Sequence, residues 1–469
     1  MRQARVLQVA AAIGLLGAVL STPAGADARD LSRDTLPAND GWAFAGGGKL
    51  GCDNYATGTG CRTLAQRSTP KGGGEGHPVH SGPEGRRGKA RIALSNNGVV
   101  GPTAGRAGSQ ACGGHVRPTL TGRQRPVKQE PKVVPRSGAD RNLLPSGRRG
   151  RQGLKKYLAA YDPCTWGSAK PSGPQEAAKQ AERVVLPVGS NTTILGLGSG
   201  AVLKGASLQV RQADNVIVRN LELRDAYDCF PVWQPNSGGL GDWKTAYDTL
   251  WLNGATHVWV DHVTASDKGH ADADEPTYFA RNYLRHDGLL DITNASDLVT
   301  VSWSKFADHD KAMLIGSGDT ATGDRGKLRV TLHHNEFRSV TQRAPRVRFG
   351  QVHLYNNRYL IDHGDDYRYS VGVSTESAVY AENNAFTTPG HVEAADLVKS
   401  WNGTALHQTG TLFNGFPVDL LTIHNAYNSG SERDLTADVG WTPTLHTKID
   451  SADTADREVA RGAGAGRHT

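Results

Sequence analysis

After its first 26 residues the chain has no apolar run long enough to cross a bilayer, which excludes a membrane-spanning helix from the rest of its 469 residues. Between residues 56 and 156 it has no aromatic side chain at all. That gap matters because residues 67 to 152 hold 17 Lys and Arg against 4 Asp and Glu. A basic run with no ring to stack on a base argues against nucleic-acid binding. The five cysteines are an odd count, so they cannot all pair within one chain. Cys52 with Cys229 is the favoured disulfide, because both lie in otherwise well-formed stretches; small buried thiols are the equal alternative. Acidic excess is hidden by the basic run. The whole chain carries +7, but +13 in residues 67 to 152 and +2 in the first 26 leave −8 for everything else.

What is present divides the chain into four parts. Arg2 and Arg5 precede the apolar stretch Val6 to Leu20, and Ala24-Gly25-Ala26 makes a small-residue cleavage site. Residues 1–26 therefore read as a secretory signal, and the mature protein as extracellular. Residues 27–66 form an N-terminal segment with Gly46-Gly47-Gly48 and Cys52. Residues 67–152 are rich in Gly, Pro and Arg without a lasting apolar period, and cannot bury enough surface to offset their ordering entropy. This segment is expected to be disordered or a rearranged insert, since Leu64-Ala65-Gln66 would join naturally to Lys156-Tyr157-Leu158. Residues 153–469 read as one domain.

A repeat within that domain predicts its fold. VIVRN ends at Asn220, VWVDH at His262, VTVSW at Trp303, VTLHH at His334, VHLYN at Asn356 and VYAEN at Asn383. Positions one, three and five share a face on a strand. The spacings are 42, 41, 31, 22 and 27 residues. A minimum of 22 fits one coil of a parallel β-helix, with loops inserted in the longer coils, and is too short for a propeller blade. Asn335, Asn357 and Asn384 follow the last three repeats and are expected to form an amide ladder. The fold class is all-β, a right-handed parallel β-helix.

Four clusters keep a similar phase to this repeat and would line one flank. They are Ala246-Tyr247-Asp248, His286-Asp287-Gly288-Leu289-Leu290-Asp291, Asp308-His309-Asp310-Lys311 with Leu314-Ile315-Gly316, and Gln342 through Gly350 with Arg343, Arg346 and Arg348. On an extended strand Asp287 and Asp291 would lie roughly 13 Å apart. Sharing one ion requires a bend, which Gly288 permits. Several carboxylates beside a few cations suit a hard cation that also holds an acidic polymer. Blander readings exist: Asp287 and Asp291 as turn residues, Lys311 as a solvated edge lysine.

The ordered motifs W-V-D-H (259–262), H-D-G-L-L-D-I (286–292), V-T-V-S-W (299–303), D-H-D-K-x-x-L-I-G (308–316) and R-x-P-R-V-R-F-G (343–350) make the chain resemble the pectate lyases of polysaccharide lyase family 1, of the secreted bacterial type. The likeness runs from about Leu154 to the C-terminus and includes D-V-G-W-T-P (438–443). It implies a monomer that cleaves polygalacturonate by calcium-dependent β-elimination, giving 4,5-unsaturated oligogalacturonides. It implies Asp248, Asp287 and Asp291 as Ca²⁺ ligands, with Ala246 where many members carry a further acid. Lys311 resembles the lysine that grips a substrate carboxylate, Arg348 the arginine that holds the substrate, and Arg343 the base. An arginine base sits uneasily with a reference pKa of about 12.5 or more, although neighbouring cations push it down. The alternatives are a calcium-independent pectin lyase, a hydrolytic polygalacturonase with paired carboxylates, and a non-catalytic pectin binder.

Overall fold

The computed structural model describes residues 34–45, the strands Ala90–Leu94 and Thr119–Leu120, and residues 174–467 apart from 238–240, 269, 363–365, 429 and 431. The expected signal, Cys52 and most of residues 67–152 lie outside the described residues.

Each VxVxN-type repeat is a strand of one nine-stranded sheet. Its neighbours pair in parallel at the predicted offsets: Val218 with Val260, Val260 with Val301, Val301 with Leu332, Leu332 with Leu354, and Leu354 with Ala381. An eight-stranded and a ten-stranded sheet complete each coil, so the chain winds as a right-handed parallel β-helix. β-branched and leucine side chains such as Val258, Val260, Val301, Leu332 and Val352 point inward and are fully buried. An aromatic stack lines the ten-stranded side of the core, Phe306 on Phe337 at 5.3 Å, Phe337 on Tyr359 at 5.0 Å and Tyr359 on Phe386 at 4.2 Å. Burying each such ring stabilises the fold by a few kcal/mol, about 1.5–3.

The fifth residue of every repeat turns the corner out of the nine-stranded sheet. Asn220, His262, Trp303, His334, Asn356 and Asn383 all have φ between 46° and 53°. Asn tolerates this left-handed conformation readily; Trp and His do so here because their rings stack, Trp303 on His334 at 4.5 Å and on His262 at 6.1 Å. The residue after the corner carries the amide ladder. Asn335 Nδ2 donates to Asn357 Oδ1 at 3.0 Å, and Asn357 Nδ2 to Asn384 Oδ1 at 3.1 Å.

The outer face of the nine-stranded sheet is covered. Trp42 N–H donates to Thr331 Oγ1 and Ala43 N–H to Thr300 Oγ1, both at 3.0 Å. Trp441 of the D-V-G-W-T-P motif packs 5.8 Å from Trp42 and donates its indole N–H to Ala378 C=O. Helix α1 (Pro174–Val184) precedes the first full coil, and α2 (Leu420–Tyr427) and α3 (Ala452–Gly462) follow the last. No helix among the described residues is long and apolar enough to cross a membrane. Within 67–152 two strands are described: Ala90–Leu94 pairs in parallel with Thr192–Gly196, and Thr119–Leu120 pairs antiparallel with Leu203 and Lys204. Those two stretches are strands of the sheets, and the rest of residues 67–152 lies outside the described residues.

Candidate active site at one corner of the coils

The corner that leads into the eight-stranded sheet collects the predicted residues. Asp248 stands two residues before the strand Leu250–Asn253, and Asp287 three before Leu290–Thr293, whose second residue is Asp291. Lys311 ends the strand Lys305–Lys311 one coil on. Arg343 follows the strand Glu336–Gln342 on the next coil, and Lys311 pairs in register with Gln342. Backbone bonds tie the rungs: Thr249 N–H to Gly288 C=O at 2.9 Å, Leu289 N–H to Ala312 C=O at 2.9 Å, and Met313 N–H to Arg343 C=O at 2.7 Å. Successive coils thus stack Asp248, Asp287, Lys311 and Arg343 along one edge.

Gly288 explains how two of the acids meet. Its N–H donates to Asp248 Oδ1 at 2.8 Å. A β-carbon there would lie 2.3 Å from Asp291 Oδ1 and 3.1 Å from Asp248 Oδ1. Its φ is outside the left-handed range, and glycine here supplies room for two carboxylates. Leu314 N–H holds Asp291 Oδ1 at 3.0 Å.

The electrostatics of the trio are those of crowded acids. Burial, then Asp291 and Asp287, raise the pKa of Asp248, against the Gly288 N–H and Lys311. Burial and Asp287 raise Asp291, opposed by Arg343, the Leu314 N–H and His309. Burial also pushes Asp228, which receives the Ala246 N–H at 2.9 Å, up to about 6. Like charges held together in this way are relieved by a divalent ion, and an all-carboxylate corner suits Ca²⁺. Among the described residues, the trio is not one of the groups whose ligand atoms all lie within 4.8 Å of one another.

The cations differ in how they are held. Lys311 is buried and in no ion pair among the described residues, and Arg343 has φ 60° and a buried Nε without a hydrogen-bond partner. The charge of Arg343 nonetheless reaches Asp291 and the Tyr369 phenol. Arg346 stacks 4.1 Å over Trp401 and donates to Ser374 Oγ at 3.0 Å; burial, then Arg348 and Arg343, lower its pKa. Arg348 is engaged, its Nε donating to Asp319 Oδ1 at 2.7 Å and Nη1 to Gly316 C=O at 3.2 Å.

A buried histidine–aspartate network behind the corner was not read from the sequence. His286 Nδ1 faces Asp272 Oδ1 at 3.1 Å and Nε2 faces Asp225 Oδ1 at 3.2 Å. Burial lowers its pKa, but Asp267, Asp225 and Asp272 outweigh this and push it to about 10. His309 pairs with Asp267 and donates Nε2–H to Lys311 C=O at 3.1 Å, fixing the backbone that carries the lysine. The signal was present, since His286 precedes Asp287 and His309 lies two residues before Lys311; their partners 14 to 61 residues away were not visible. Cys229 is disulfide-bonded, and its expected partner Cys52 lies outside the described residues.

Residues 167–466 match the family model for pectate lyase. The chain is 36% identical over 464 residues to a pectate lyase of Bacillus subtilis (strain 168), spanning 95% of this chain and 96% of that protein. A solved pectate lyase bound to a hexasaccharide superposes with a TM-score of 0.67 at 33% identity, over 94% of this chain and 100% of that one. A pectate lyase whose structure bears on substrate specificity and an anti β-elimination mechanism superposes equally well, TM-score 0.67 at 33% identity with the same coverage, 94% and 100%.

Proposed function

The chain belongs to the pectate lyase family and cleaves pectate, and on that premise we propose that it does so by calcium-assisted anti β-elimination with Arg343 as the base. The observation that carries this reading is the stacking of Lys311 and Arg343, neither in a direct ion pair among the described residues, on successive coils beside an acidic trio. A polyuronate brings carboxylates that can pair directly with both.

Lys311 grips a uronate carboxylate and sets the sugar ring against the next coil, where Arg343 presents its guanidine. Arg343, having lost its own proton, takes the C5 proton. The C5–H electron pair becomes the C4=C5 double bond, the C4–O4 bond breaks, and the departing oxygen leaves with a proton from solvent. Asp248, Asp287 and Asp291 would hold Ca²⁺, which supplies charge withdrawal from the uronate carboxylate and so acidifies C5–H. Arg348, tied to Asp319, orients the substrate from its place just after the strand Arg346–Val347. Arginine keeps its proton at neutral pH, so the rate rises toward alkaline pH. The enzyme acts as an exported monomer; the disulfide at Cys229 supports an oxidising compartment.

Arg343→Ala tests the assignment. On polygalacturonate with calcium, the ultraviolet-absorbing unsaturated product should form about 10²–10⁴-fold more slowly, with unchanged melting. A variant as fast as the parent removes Arg343 from the chemistry, and reducing sugar without ultraviolet absorbance would mean hydrolysis.

A further inference from the structure

At the corner between the nine- and ten-stranded sheets, away from the acidic corner, His334, Asp450 and Glu458 come together. One ligand atom from each lies within 4.8 Å of the other two. His334 is the fifth residue of a repeat and is buried, while Asp450 is half-buried and Glu458 is exposed on α3. We propose that these three side chains form a binding site for a divalent transition-metal ion, zinc foremost, which fastens the C-terminal segment to the coils.

The gap is of the right kind. His334 Nε2 stands 4.0 Å from Asp450 Oδ2. That is too long for a hydrogen bond, and within the span of two bonds of about 2.0–2.2 Å to a shared ion. Lys448 pairs with the other oxygen, Oδ1, leaving Oδ2 toward the imidazole. Asp450 is fixed by its backbone: its C=O accepts Asn356 Nδ2 at 2.7 Å and Asn383 Nδ2 at 2.8 Å, and its N–H donates to Asn356 Oδ1 at 2.8 Å. Two ligands are therefore set by the solenoid, and the third, Glu458, is exposed on α3 with its carboxylate already within 4.8 Å of both.

His333 Nδ1 and His334 Nδ1 share one hydrogen bond across 3.0 Å. In the tautomer in which His334 is the donor, its Nε2 lone pair faces the two carboxylates. A ligating histidine whose other nitrogen is held by a hydrogen bond is the arrangement that orients metal ligands in general. One nitrogen and two carboxylates, open to water, favour zinc, cobalt or nickel over calcium, which prefers an oxygen-only shell. This distinguishes the site from the acidic corner. The buried group Asp267, Asp272 and His286 offers no such site, because both of its imidazole nitrogens already face carboxylates.

The test uses the full chain stripped of metal, titrated calorimetrically with ZnCl2 and melted in ZnCl2 or CaCl2. Zinc should bind and raise the melting temperature in proportion to occupancy. In Glu458→Gln and in His334→Gln, the tightest zinc event should weaken at least tenfold and the zinc-induced rise in melting temperature should shrink. Glu458→Gln should keep parental calcium-supported activity on polygalacturonate. Glu458 is exposed, so its variant decides the matter if His334→Gln fails to fold. Zinc binding of the same affinity and stoichiometry in Glu458→Gln, or no zinc event in the parent, overturns the site. Failure here leaves the acidic corner untouched, since the two sites share no residue.

Discussion

A single missing β-carbon holds the acidic corner together. Asp248 and Asp291 occupy the space that a side chain at position 288 would fill. Gly288→Ala is expected to push Asp291 aside while leaving the backbone conformation allowed, so calcium affinity measured by titration should fall at least tenfold with little change in melting. Unchanged affinity would remove both acids from the metal assignment. A second residue-scale prediction concerns Asp261, which accepts Arg219 Nε at 2.7 Å, His262 Nδ1 at 2.8 Å and Ser302 Oγ at 2.7 Å. Burial raises its pKa, but His262, Arg219 and Ser302 outweigh this and hold it at about 2. Its folded pKa is below the unfolded value near 3.9, so the stabilisation is complete above that value and lost as pH falls through about 2. Urea melts between pH 4 and pH 2 should show a loss of roughly 2 kcal/mol that is absent in Asp261→Asn. An identical slope in the variant would place the acid sensitivity elsewhere.

At the scale of elements, the coil corners do the organising. Asn357 spends its amide on three acceptors, Leu332 C=O, Tyr355 C=O and Asn384 Oδ1, while its oxygen receives Asn335. Asn357→Ala leaves those buried groups unpaired and should cost about 1–3 kcal/mol per orphaned group in urea unfolding. A near-neutral result would mean that the ladder is ornament to the stacked strands. These elements were legible because each repeat keeps its own phase: alternate residues face the core, and the sixth residue is Asn in the last three coils. The hairpin pair Val232–Gln234 with Asp242–Lys244 and Thr277–Tyr278 with Arg281–Asn282 was not legible. It is held by Trp233, Trp243, Phe279 and Tyr283 packing between two insertions, which leaves no period in either. Trp233 is buried within that cluster.

Over the whole molecule, the solenoid turns sequence separation into stacking. Asp248, Asp287, Lys311 and Arg343 span 95 residues of chain and occupy successive coils of one edge. The motifs could be read because each is local to one corner. Partnerships between coils could not: the Arg348–Asp319 pair crosses 29 residues, and His309 reaches Asp267 across 42. Neither follows a spacing that strand or turn geometry prescribes. The cover over the nine-stranded sheet, from Trp42 and Trp441, is illegible in the sequence for the same reason, its two rings being about four hundred residues apart in the chain yet 5.8 Å apart in space. The edge is tied to its chemistry most directly by the rate of ultraviolet-absorbing product from polygalacturonate, measured in three steps: calcium present, chelator in excess, calcium restored. The rate should collapse with chelator and recover with calcium, in step with occupancy of a site that Asp287→Asn and Asp291→Asn weaken. A rate indifferent to the chelator would contradict the account.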